Sequence, residues 1–151
     1  MKKRGFGFRD AFRGIGNGVL WERNFRVHIA AVLTVVYFGA VFGVTKTQWA
    51  VLVLIMGAVM AAELVNTAVE AMVDRLSPEK CEYARIAKDS AAAAVLVLAT
   101  ASVVIAGFIF SEPRGWERVW TYIKGNYVYI AVFAAACVWF VFFAGKKENR
   151  K

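Results

Sequence analysis

Four stretches of this chain are apolar for close to the length of a membrane crossing. Val27 to Val44, Ala91 to Phe110 and Tyr127 to Ala144 contain no Asp, Glu, Lys or Arg. A further run starts at Trp49 and stays apolar to Ala62. Counted as a span of ~20 residues, it ends near Ala68. With 60% hydrophobic residues and a mean hydropathy of +0.52, the chain is too apolar for an ordinary soluble domain. In hydrocarbon every backbone polar group must be satisfied within its own segment, which leaves helices for runs of this length. The expected fold is an all-α membrane protein with spans at about 27–44, 49–68, 91–110 and 127–144.

Residues 1–26 read differently. Phe8, Phe12, Ile15 and Val19 recur at helical spacing, with Arg9 and Arg13 beside them. That pattern predicts an amphipathic helix lying in the membrane interface. Gly14, Gly16 and Gly18 weaken it as a helix, and close packing against a neighbour is the expected use of these glycines. The GIGNG run lacks the lysine and hydroxyl of a phosphate-cradling loop. The basic N-terminus is followed by no signal-peptide core and cleavage site at the right distance.

Four spans put both termini on one side. Fifteen of the 19 Lys and Arg fall in residues 1–26, the 74–90 loop and the C-terminal tail, against Lys46, Arg114, Arg118 and Lys124 on the other face. The positive-inside rule then places both termini and the 74–90 loop in the cytoplasm. The net charge of +8 is concentrated at the ends of apolar runs, which suits anionic lipid headgroups and not nucleic acid. Cys81 in that loop and Cys137 in the membrane make no expected disulfide. Ser111 to Asn126, with Trp116, Trp120 and Tyr122, reads as an outer interfacial stretch.

The acids gather at one boundary. Glu63, Asn66, Glu70 and Asp74 share one stripe of a helix, within roughly 80° of arc. Glu63 lies about five residues, or roughly 7 Å, inside the inner edge of its span. An ionisable residue at that depth is a functional-site hypothesis by default. Partial desolvation near the position of a lipid hydroxyl suits it to general-base work. Glu22 and Glu70 are hard-oxygen carboxylates of the kind that bind Mg²⁺ together with substrate phosphates. Lys88 beside Asp89 could stabilise charge on a transferring phosphoryl group. His28 opens the first span as an interfacial hydrogen-bonding residue, with no second His or Cys at ligand spacing.

Three segments, WERNFRVH, AELVNTAVEAMVDR and AKDSAAAAVL, resemble the bacterial integral-membrane diacylglycerol kinase and undecaprenol kinase family, with matching spacings between them. The ERNFRVH form is more similar to the undecaprenol kinase branch. The resemblance covers roughly residues 5–110 and marks 1–110 as a lipid kinase domain, with 111–151 as a C-terminal extension. It implies a homotrimer in the bacterial inner membrane, with sites between subunits at the cytoplasmic boundary. It implies transfer of the γ-phosphate of ATP, with Mg²⁺, to a lipid hydroxyl. On the matching motifs, Glu63 is implied as catalytic base and Glu22 and Glu70 as metal carboxylates. Glu22, Glu70, Glu79, Lys88 and Asp89 are implied as nucleotide contacts, with Asn66 and Asp74 supporting. Asp10 stands where the family often has tyrosine, and Cys81 where it usually has histidine, so the chain departs from the family pattern at two nucleotide-contacting positions. The residues alone leave open diacylglycerol as the acceptor, or a non-catalytic bundle conducting ions or protons past Glu63.

Overall fold

The computed structural model describes residues 7–77 and 81–144, and all regular structure among them is helical. Helix α1 spans Phe8–Trp21, α2 Arg23–Phe42, α3 Lys46–Leu76, α4 Glu82–Ile109 and α5 Pro113–Phe143. The last four are long and apolar enough to cross a membrane.

The expected elements are present, with boundaries moved where local chemistry decides them. The interfacial helix does not run to residue 26. Glu22 adopts an extended conformation (φ −105, ψ 115), and Arg23 and Arg26 join the first turn of α2. Thr45 to Gln48 is not a free turn, because Thr45 caps α3 reciprocally with Gln48, so Lys46 is already helical. The charged loop expected at 74–90 is mostly helix among the described residues, with Ser77 and Cys81 at the two helix ends. Helix α3 ends at Leu76 and α4 begins at Glu82, and the Arg85–Asp89 pair at 3.3 Å supports the first turns of α4. The outer stretch from 111 to 126 is mostly helix as well. Pro113 starts α5 at a position that needs no N–H donor, and the predicted start of the fourth span survives only as a break in helical geometry at Asn126 (φ −133, ψ 21).

At 31 residues, α3 is about 46 Å long, which exceeds the ~30 Å hydrocarbon core. One end must therefore project beyond the bilayer, and that end carries Glu70 and Asp74.

Helix α4 packs along α3, α5 packs along α2, and α2 meets α3 in the middle of the row. Helix α1 touches both α2 and α3. Of the three glycines in α1, only Gly18 meets a neighbour: a Cβ there would lie 3.0 Å from the Phe25 ring and 3.2 Å from Leu64. Gly14 and Gly16 face open space, so the packing role expected of all three belongs to Gly18. Phe25 and Leu52 are the most completely buried large side chains, while much of α3, α4 and α5 presents Leu, Val, Phe and Trp outward. In lipid such faces need no protein cover, because the surrounding tails are equally apolar.

Candidate functional site at the polar end of the bundle

Helix α3 holds Glu63, Asn66, Glu70 and Asp74 in one unbroken run, so the stripe inferred from spacing is real. Its members have different surroundings. Glu63 and Asn66 are buried, at 4% and 8% exposure, Glu70 is half-buried, and Asp74 is exposed.

Glu63 meets His28 of α2. The His28 Nε2 lies 2.9 Å from Glu63 Oε1, with the Glu63 side chain 6% exposed. His28 was legible only as an interfacial residue, because nothing in the primary sequence relates it to Glu63. Its position in the first two turns of α2, on the side toward α3, makes the pairing possible. That contact engages the Oε1 oxygen of Glu63.

Below this pair, on the membrane side, His28, Val32, Val35, Leu52, Met56 and Val59 line an apolar cleft of about 190 Å³ between α2 and α3. Ser102 and Ala106 of α4 close its far side.

Asn66 Nδ2 donates to Glu70 Oε1 at 2.8 Å, one helical turn apart. Asn66 Oδ1 is buried and has no hydrogen-bond partner. A buried amide oxygen without a donor is costly, and its environment calls for a donor or a cation from outside the chain.

Lys88 Nζ donates to Asp74 Oδ1, linking the start of α4 to the end of α3. Asp89 instead pairs with Arg85 on its own helix. Adjacent in sequence, Lys88 and Asp89 thus serve different partners. Asp74, Ser77, Cys81, Glu82, Arg85 and Lys88 line a cleft of about 620 Å³ between these helix ends. The Ser77 hydroxyl, 3.4 Å from Cys81 Sγ, holds the Cys81 thiol below its usual range, helped by the backbone N–H of Ala84. Glu79 lies outside the described residues.

Glu22 sits at the α1–α2 elbow, on the rim of a cleft of about 590 Å³ between α1 and α3 that Thr67, Ala68 and Ala71 also line. Those α3 residues flank Asn66 and Glu70. Among the described residues no group of three or more His, Cys, Asp or Glu is placed to hold a metal ion by itself. Mg²⁺ asks for less, one or two carboxylates with phosphate oxygens completing its octahedron. Glu70, Glu22 and the unpartnered Asn66 oxygen fit that requirement in donor chemistry.

A family model described as prokaryotic diacylglycerol kinase matches residues 9–110, two thirds of the chain, from the first turn of α1 to just past the end of α4. The chain belongs to that family. The kinase is 38% identical over 103 residues to an undecaprenol kinase of Bacillus subtilis, across 68% of this chain and 84% of that one. It is 37% identical over 107 residues to a diacylglycerol kinase of Synechocystis, across 70% of this chain and 61% of that one. A Sinorhizobium diacylglycerol kinase is 33% identical over 91 residues, across 60% of this chain and 66% of that one. No solved structure matches it. The kinase is therefore a multi-pass membrane lipid kinase, and helix α5 lies outside the matched residues.

Proposed function

We propose that this kinase transfers the γ-phosphate of ATP, with Mg²⁺, to the hydroxyl of undecaprenol at the cytoplasmic face of the bacterial inner membrane, working as a homotrimer. The observation that carries the reading is Glu63: a buried carboxylate 2.9 Å from His28, which itself lines an apolar cleft. A polyprenyl tail in that cleft brings its terminal hydroxyl past His28 to the Glu63 carboxylate. Glu63 accepts the hydroxyl proton as the oxygen attacks phosphorus, and His28 keeps the carboxylate turned toward it. Lys88, oriented by Asp74, faces the phosphates and offsets charge on the transferring group, with Asp89 and Glu79 contributing at the nucleotide. Glu22 and Glu70 hold the metal, and Asn66 fixes the Glu70 carboxylate through Nδ2. When bound, Mg²⁺ supplies neutralisation of the β- and γ-phosphate oxygens.

Undecaprenol is favoured over other lipid alcohols by the ERNFRVH segment and by the 38% identity to an undecaprenol kinase. Diacylglycerol is the second reading, because two relatives of similar identity carry that name. Purified kinase given labelled ATP, Mg²⁺ and each lipid in mixed micelles decides between them. The expected result is faster phosphorylation of undecaprenol, abolished by a chelator and restored by Mg²⁺. Phosphate transfer to diacylglycerol alone would overturn the substrate, and transfer to neither lipid would overturn the mechanism. A reporter at the C-terminus checks the orientation, with a cytoplasmic signal expected.

A further inference from the structure

Arg26 stands where two helices end, and neither of them brings a cation to its own last turn. Helix α1 stops at Trp21 and α5 at Phe143. Each exposes carbonyls that lack intrahelical donors, at the negative end of its dipole. Arg26, in the first turn of α2 and 7% exposed, serves both. Its Nη1 donates to Val19 O at 3.0 Å and its Nε to Val141 O at 3.1 Å. Arg23, three residues earlier, lies over the Phe142 ring at 4.7 Å.

The opposite end mirrors this arrangement. Arg118 Nη1, from the second turn of α5, donates to Phe42 O at the end of α2, at 3.1 Å. The two helices are therefore antiparallel and each caps the other's C-terminus with an arginine. Between the caps, Tyr37 bonds Tyr122 at 3.0 Å and stacks on Phe133. A helix that merely added a membrane anchor would need only apolar contact. This one is bonded to α2 at both ends and at the middle.

Glu22 lies between Val19 and Arg26, at the elbow whose angle the Arg26 fork sets. One arm of that fork holds α1 and the other is held by α5. We propose that α5, outside the segment the family shares, is a strut that fixes the α1–α2 elbow through Arg26 and so positions Glu22 toward the metal–nucleotide complex. This rests on the reading of Glu22 as a metal carboxylate. Arg26 is a positioning residue, since its planar fork reaches two carbonyls that a lysine ammonium cannot match.

The test is equilibrium binding of Mg-ATP to the full chain without lipid acceptor, which Arg26→Lys and Phe142→Ala should weaken, beside steady-state kinetics with separate KM values for Mg-ATP and for the lipid. Arg26→Lys and Phe142→Ala should each raise KM for Mg-ATP, by about tenfold for Arg26→Lys, the scale seen when an outer partner of a metal ligand is lost. The lipid KM should stay unchanged, and Phe142→Tyr, which keeps the ring under Arg23, should restore the native value. A fall in kcat with KM for Mg-ATP unmoved is the signature of a brace needed only for folding and would overturn the proposal. A rise confined to the lipid KM would do the same. Phe142→Ala decides alone if Arg26→Lys does not fold. Glu22→Gln separates the two levels. If its KM for Mg-ATP does not move, the metal-carboxylate reading fails and the strut with it. If it moves while Arg26→Lys and Phe142→Ala leave KM untouched, the strut alone fails.

Discussion

His28 Nε2 lies 2.9 Å from Glu63 Oε1, joining α2 to α3 at the depth where polar side chains give way to an apolar cleft. This contact holds a buried carboxylate against a neighbouring helix and limits how it can turn. Glu63→Gln should lower kcat by roughly 10²–10⁴-fold, the usual contribution of a general base. His28→Ala leaves the carboxylate but loses its orientation, and kcat should fall by up to about 10²-fold. His28→Gln, which keeps an N–H donor, should recover part of that loss. The KM for Mg-ATP should be unmoved in all three, as single-turnover and steady-state assays together can show.

The Lys88–Asp74 pair is exposed, at 36% and 58%, so its contribution to stability is at most about 1 kcal/mol. Asp74→Asn should therefore leave thermal unfolding nearly unchanged. If Lys88 serves the phosphates, the same substitution should raise KM for Mg-ATP severalfold, and Lys88→Met should raise it further. Equal losses of stability and activity would point to a structural pair instead.

Gly115 faces the Phe42 ring so closely that a Cβ would lie 2.2 Å from its Cζ. Gly115→Val should force α5 away from α2 and cost about 1–3 kcal/mol of stability. Gly125→Ala, in the same helix with open space around it, should cost nothing by clash. Unfolding midpoints of the two variants in one detergent check this.

Ser77 donates to the Cys81 sulfur and thereby favours the thiolate, so the Cys81 pKa lies below that of an ordinary thiol. At a pH below the normal thiol range Cys81 should alkylate faster than a free cysteine, and the rate should level off at lower pH. Ser77→Ala removes the donor and should shift the rate profile upward in pH. An unchanged profile would show that the hydroxyl does not reach the sulfur.

Much of this was readable in the chain itself. Apolar runs free of charge demanded helices, because hydrocarbon offers no other partner for backbone groups. The spacing of Glu63, Asn66, Glu70 and Asp74 put them on one helix face, and the three motifs pointed to a lipid kinase family. Boundaries were less legible where the signal was composition. Glu82 to Ser90 looked like loop because it is charged, yet nothing in it breaks a helix.

Contacts between distant segments were not readable at all. Spacing along one helix is a local property, fixed by 3.6 residues per turn, so the acidic stripe followed from the sequence alone. Which side chains of α2 face that stripe depends on how two helices rotate against each other, and no local pattern encodes it. Only the tertiary structure put His28 on Glu63, gave Lys88 to Asp74 and not to its neighbour Asp89, and brought the ends of α1 and α5 to Arg26. The fourth span was visible as an apolar run, but packing gave it a place beside the elbow that carries Glu22.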